Sequence, residues 1–380
     1  MRIKEIIIST VLMLVSCLAI FGAFKLESSF EPPESKILVT NFDGGLVNTL
    51  DNEISLLEFG DLAIENKSII GKGVGLNGGY ITLYGSEQTK LRDEFTFSTW
   101  FNITDAKSQD PFIFSRGTAT DKAVRSSIAL RFSDDYTCFK TDIGFKLAGS
   151  KYGNYSFVSK KLFDKESIIN EWHNITIVFD KNVLYYYFDG ALSSAEILPV
   201  ELLEYATIFN NDKVFEIGRG SKGNMFGILD EIHFYDYAVG KEEAIAFYTK
   251  GMEKYKNKLV VNVENKTVEL NGVKEEVPDL TEEKGITLIS VDFIVEKMNG
   301  TMTFDEKDGY GRMDIIQGNN KISLWLMDTN AVVNDKLSKL DVHPAKKGEV
   351  ILAPVRFIAE GLGAMLSWNK ELKELTIYYK

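Results

Sequence analysis

Between about Lys36 and Lys250 the sequence alternates apolar and polar residues in run after run, and it almost never shows a helical spacing. The runs are FTFSTWFNI (Phe95 to Ile103), SSIALRFS (Ser126 to Ser133), HNITIVFD (His173 to Asp180), VLYYYFDG (Val183 to Gly190) and LDEIHFYDY (Leu229 to Tyr237). A two-residue period puts every second side chain on one face, so each run predicts a strand with one buried side. Gly, Asn and Asp break the runs at short intervals, which implies antiparallel connections and two packed sheets around one large core. In this region GKEEAIAFYTKG (Gly240 to Gly251) is the clear helix signal.

From residue 258 onward the chain repeats itself. Sliding by 64 positions sets Val291 on Val355, Phe293 on Phe357, Ile294 on Ile358, Glu296 on Glu360, Met298 on Leu362 and Phe304 on Trp368. Upstream, KLVVNVENKTVELNG (Lys258 to Gly272) parallels KISLWLMDTNAVVND (Lys321 to Asp335). Two units of strand, strand, helix, strand are expected, over about 258–320 and 321–380. In the second unit the apolar stripe of Val355, Ile358, Ala359 and Leu362 predicts a helix that Gly363 stops. Phe357, Ile358, Leu362 and Trp368 are expected in the core, with Arg356 and Glu360 as an ion pair one turn apart. The alternative is a ligand groove. The linker around GMEKYKNK (Gly251 to Lys258) is short, so the two parts are expected to touch.

The first residues predict export. Arg2 and Lys4 precede 19 uncharged residues from Ile6 to Phe24, and Lys25 closes the run. Residues 1–30 are therefore expected to be a signal peptide or a membrane anchor, with everything after Lys25 outside the membrane. Leu14, Val15, Ser16 and Cys17 also resemble a lipobox. The other cysteine, Cys138, leaves the exported part without an internal disulfide and reads as a small buried hydrophobe. A net charge of −12 with no basic patch argues against nucleic acid as a partner.

The phrases FDG (Phe42 to Gly44), GKGVGLNGGYITL (Gly71 to Leu83), FTFSTWF, EWHNITIVFD (Glu171 to Asp180), YYFDG, FEIGRG (Phe215 to Gly220) and GILDEIHFYDYAVGKEEAIAFY (Gly227 to Tyr248) stand in one order. In that order the segment 36–250 resembles the laminin G-like, concanavalin A-like jelly-roll family. The resemblance implies a module that binds glycans or proteins, commonly with calcium. It also implies that the first and last strands lie side by side, so that Asp43 and Asp230 could share one calcium ion. The other reading of the same acids stays open: Asp43 shapes its turn and Asp230 caps a strand end.

The phrase VILAPVRFIAEGLGAMLSWNKELKELTIYY (Val350 to Tyr379) resembles the copper amine oxidase N-terminal, or stalk, family, with Gly285 to Asp305 as a divergent copy and 258–380 as the expected module. No copper is expected. The oxidase chemistry needs three His ligands and a tyrosine-derived cofactor, whereas His173, His233 and His343 are scattered and the residues around Asn154 and Tyr155 depart from the cofactor motif.

Enzymes of related fold place two carboxylates at alternate positions of one strand. Here Asp230 and Glu231 are adjacent and are expected to face opposite ways, while Ile232 and Phe234 separate Asp230 from Asp236. Neither GxSxG nor HExxH occurs, so no enzyme is expected. Trp100 and Trp172 are expected in the core. Exposed rings suited to a sugar are sought on loops, in KYGNYSF (Tyr152 and Tyr155) and beside Asp134 and Asp135 (Tyr136). The expectation is a non-enzymatic cell-surface protein binding an extracellular polysaccharide, a cell-wall polymer or a surface protein. A structural envelope or appendage component is the alternative, and a glycoside hydrolase ranks third.

Overall fold

A computed structural model describes residues 37–380 apart from 51–53, 67, 85–90, 92, 109–110, 117–127, 148–150, 204–206, 209–212, 221–222, 277 and 307–310. The leader and Cys17 lie outside the described residues. Among the described residues no helix is long and apolar enough to cross a membrane.

Two antiparallel sheets form the first module. One runs in the order Ala191–Ile197, Val183–Phe188, Trp172–Asp180, Glu94–Ile103, Phe226–Tyr235, Gly73–Asn77, Leu62–Glu65, and Leu38–Thr40 also pairs with Phe226–Tyr235. The other runs Lys151–Val158, Phe139–Leu147, Ile128–Phe132, Phe112–Arg116, Phe215–Ile217, Tyr80–Tyr84, Ser55–Phe59. Alternation sorts the side chains as expected: Phe95, Phe97, Phe101, Ile175, Ile177 and Phe179 enter the sandwich core. Phe97 of one sheet meets Phe114 of the other with ring centroids 4.1 Å apart, so aromatic packing ties the layers together.

The outer face of the first sheet is also buried. Ala244 and Phe247 of the Lys241–Met252 helix cover Val178, Tyr187 and Tyr235. Trp100 and Trp172 are buried, as expected, but on this outer face, where they cluster with Ile69 and with Met365 of the second module. The Trp100 indole stacks on Tyr248 at 5.3 Å and donates to the Phe247 carbonyl at 3.3 Å. The two modules thus share a hydrophobic seam.

The repeat is visible in space, and each copy has more strands than the sequence suggested. Among the described residues the first copy has strands at Asn257–Asn262, Thr267–Leu270, Val273–Glu275, Leu280–Glu283 and Ile286–Ser290, the helix Val291–Lys297, then Thr301–Asp305 and Arg312–Gln317. The second copy follows the same order: Asn320–Trp325, Asn330–Val333, Lys336–Lys339, Ala345–Lys347, Val350–Pro354, the helix Val355–Gly361, Met365–Asn369 and Glu374–Tyr379. The extra strands, such as LTEE and KLSK, are largely exposed and so carry no apolar alternation to betray them.

The copies are interlocked. Asn257–Asn262 of the first pairs with Glu374–Tyr379 of the second, and Arg312–Gln317 of the first pairs with Asn320–Trp325 of the second. A third sheet joins Ile286–Ser290 to Val350–Pro354. One core runs through both, from Leu259 and Ile294 to Ile358 and Ile377. Gly363 ends its helix at φ 84°, and Asn299 takes the same left-handed position at φ 57° in the first copy.

Candidate functional site

Where the sandwich meets the second module, side chains from both line a cleft. The Val355–Gly361 helix aims Arg356 at the sandwich, and Nη2 donates to Glu171 Oε1 at 2.6 Å. The Trp368 backbone N–H donates to the other carboxylate oxygen, Oε2, at 3.2 Å. Glu171 is buried, which raises its pKa, while the Arg356 guanidinium works against that shift. Arg356 also meets Glu360 at 3.3 Å, the ion pair that the helical spacing predicts.

His173 stands two residues further on, in the Trp172–Asp180 strand. Its Nδ1 lies 2.8 Å from Asp189 Oδ2, and the ring stacks on Phe188 at 5.0 Å. Asp189 is fixed in turn because its Oδ1 accepts the Asn174 N–H at 2.8 Å. Burial alone would lower the His173 pKa, but the Asp189 and Glu171 carboxylates together outweigh it and the net shift is upward. His173 Nε2 is buried without a hydrogen-bond partner. The nearest acid, Glu171 Oε2, is 3.8 Å away, beyond hydrogen-bond reach.

A cavity of about 520 Å³ opens beside His173, lined by Lys161, Asp164, Asp189, Trp368, Asn369 and neighbouring residues. A second of about 520 Å³ lies next to it and shares Ser167, Glu171 and Trp368 with the first. Trp368 is half-buried, not sealed in the core, and borders both cavities. Reading one module at a time could not find this site, because EWH (Glu171 to His173) and FDG (Phe188 to Gly190) lie far in sequence from LSWN (Leu366 to Asn369), and each makes sense as part of its own fold.

The acids singled out from sequence do come together, on a different task. Leu38–Thr40 lies beside Phe226–Tyr235, and Asp43 Oδ1 accepts the Lys72 N–H at 2.8 Å while Asp230 Oδ2 accepts the Ile70 N–H at 2.9 Å. Both acids thus hold one short segment. Gly71 within it has φ 56°, and a Cβ there would lie 1.9 Å from Asp43 Oδ1, so only glycine fits. Asp230 Oδ1 is used as well, accepting the Glu231 N–H at 2.7 Å. Burial pushes the Asp230 pKa up to about 8. A calcium ion needs free, ionised oxygens from several ligands. These carboxylates face N–H donors, and no group of three or more metal-ligating side chains occurs among the described residues, so the pair fits calcium poorly.

The expected opposition of Asp230 and Glu231 is corrected by the structure. The register shifts between Asp230 and His233, and Glu231 adopts φ 48°. This β-bulge turns Glu231 to the outer face, where it meets Lys250 and His233, each at 3.5 Å. Strand parity fails once a residue is added to one side of a ladder.

The tyrosine expectations also change. Tyr136 is corrected from an exposed loop ring to a core residue: it is 1% exposed, stacks on Phe132 at 5.4 Å and donates to the Ser108 carbonyl at 3.0 Å. Tyr152 and Tyr155 stand in the Lys151–Val158 strand and not in a loop. Tyr155 is half-buried against Phe157, at 4.8 Å, and the Tyr152 side chain lies outside the described residues. The three are not brought together into one platform.

Comparison with known families agrees with these two modules. Residues 75–244 match the concanavalin A-like lectin/glucanases superfamily, and residues 267–377 match the copper amine oxidase N-terminal domain. No curated protein matches the chain in sequence. Among solved structures, the binding domain of Paraclostridial Mosquitocidal Protein 1 aligns at TM-score 0.48 and 14% identity, over 90% of this chain and 96% of that one. The botulinum neurotoxin serotype G binding domain aligns at 0.45 and 11%, over 91% and 92%. Domain 4 of AbnA, an extracellular arabinanase from Geobacillus stearothermophilus, in complex with arabinotriose, aligns at 0.40 and 16%, over 57% and 100%. At these values the likenesses bear on no question of function. The chain thus carries a concanavalin A-like module, matched over 75–244, followed by a module of the copper amine oxidase N-terminal type, matched over 267–377.

Proposed function

We propose that this is a non-enzymatic, exported binding protein whose partner is a saccharide, either an extracellular polysaccharide or a cell-wall polymer. The observation that carries this reading is how the buried carboxylates of the sandwich are used. Among the described residues Glu171 is held by Arg356 and the Trp368 N–H, Asp230 by two backbone N–H groups, Glu216 by Arg219, and Glu231 by Lys250 and His233, so all four serve to fix structure. A general acid and nucleophile need free carboxyl oxygens facing one cleft. The match to the concanavalin A-like lectin/glucanases superfamily supports a saccharide as the partner.

The test is a binding panel on the purified chain, by calorimetry and thermal melts, with calcium and with chelator. Retention of one saccharide class without turnover supports the reading. Self-association with no saccharide binding would instead favour a structural envelope component. Calcium support through Asp43 and Asp230 belongs to the same panel: a calcium-dependent rise in melting temperature that Asp230→Ala abolishes would establish it.

A further inference from the structure

Resting on that reading, we propose that the saccharide sits in the cleft between the two modules, on Trp368 and His173. The first support is the imidazole: His173 lines the cleft, its Nδ1 is committed to Asp189, and its Nε2 lies just beneath the cleft surface without a partner. Burying such a nitrogen unpaired is costly. Because Nδ1–H donates to the Asp189 carboxylate, Nε2 accepts in the neutral ring and donates in the charged one, and a sugar hydroxyl can meet either need.

The second support is Trp368. A half-buried indole offers a flat apolar surface to the C–H face of a sugar ring, with polar groups alongside to take the hydroxyls. Asp164, Asp189 and Asn369 stand in that position.

Charge selects within the ligand class. Asp164 is met by Lys161 and, at 3.7 Å, by Lys370; Asp189 by His173; and Glu171 by Arg356. Glu371, on the same lining, acts on Lys161, so in the cavity beside His173 acids and bases stand close to one another, which suits a neutral polyhydroxylated ring better than an ion. The adjoining cavity around Glu171 and Arg356 extends the site, so a linear oligosaccharide fits better than a monosaccharide. Each module supplies part of the site: His173 and Asp189 come from the sandwich, and Trp368 and Asn369 from the second module.

The test compares binding of neutral hexose, pentose and N-acetylhexosamine oligomers to the full chain and to Trp368→Ala, His173→Gln, Ser367→Arg and Tyr155→Ala. Ser367 lines the cleft without being fully buried, so the arginine obstructs the cleft with little effect on folding, and melting curves check each variant. The expected result is a loss of about tenfold or more, equivalent to ~1.4 kcal/mol, in the three cleft variants and none in Tyr155→Ala. If the wild type binds an oligomer and the cleft variants bind it equally, the cleft is not the seat although saccharide binding stands. Loss confined to Tyr155→Ala would move the seat to the second sheet. If the wild type binds none of the oligomers, the binding reading itself falls.

Discussion

Arg356 and Glu171 are 185 residues apart in sequence and 2.6 Å apart in space. Their contact joins the helix of the second repeat to the residue that precedes the Trp172–Asp180 strand of the sandwich. It lies beside the apolar seam of Trp172 and Met365. Burial makes the Glu171 charge expensive without its partner. Arg356→Met keeps the stem packing and removes the charge, and it is expected to cost about 3 kcal/mol in chemical denaturation at neutral pH. Glu171→Gln should cost less, roughly 1 kcal/mol, because the amide oxygen still accepts from the Trp368 N–H. The reverse ranking would mean that the acid, not the ion pair, dominates.

Gly251 sits in the Lys241–Met252 helix against the Trp100 ring, and a Cβ there would lie 2.5 Å from Cε2 and Cζ2. Helix propensity alone favours alanine at such a site by up to ~1 kcal/mol. Overpacking costs about 1–3 kcal/mol, and a buried indole pinned by Tyr248 cannot step aside. Gly251→Ala is therefore expected to lower the melting temperature. A rise would show that the seam yields.

The two repeats make a paired prediction. Asn271 and Asn334 occupy equivalent turns at φ 51° and 49°, and each side chain accepts a backbone N–H at 2.8 Å, from Lys258 and Lys321. Alanine loses the bond and tolerates the left-handed backbone poorly, so each substitution should cost about 1–2 kcal/mol, by similar amounts. Unequal losses in urea melts would mean that the copies are not energetic equivalents.

Asp230 gives a pH dependence with a definite sign. Its pKa rises from 3.8 to about 8 on folding, so between those values the folded protein keeps a proton that the unfolded chain has lost. Stability from this group therefore falls as pH rises from about 4 to about 8, by at most ~1.4 kcal/mol per pH unit. His173, with its pKa raised from 6.5, adds stability at lower pH that is lost as pH rises through its folded value. Asp230→Asn should flatten the slope below pH 6, where histidine contributes little. An unchanged slope in unfolding titrations would assign it to other groups.

Much of the fold was legible because burial follows spacing. Phe95, Phe97, Ile175 and Ile177 alternate into one core, and Val355, Ile358 and Ala359 recur at helical intervals. What stayed hidden depends on distance or on a break in the period. The bulge at Glu231 leaves no mark in LDEIHF, so parity misplaced one acid. Tyr136 follows two aspartates and looked like a loop tip, yet its φ of 53° lets the chain turn the ring back onto Phe132. The cleft needed Glu171, His173 and Trp368 side by side, and only the docking of one module on the other provides that.

The interlocked repeats also set how the second module answers to a pull. Its first strand begins at Asn257, opposite Tyr379 at the end of its last strand, and Lys256 N–H reaches the Tyr379 carbonyl at 3.0 Å. The polypeptide therefore arrives from the sandwich and reaches residue 380 at the same edge of one antiparallel pair. A load drawn between the sandwich and that end would meet the ladder one rung at a time, as in opening a zipper, and not all rungs together in shear. Such a load would separate these two strands at low force, while the hydrophobic seam and the Arg356–Glu171 contact would have to give way by themselves.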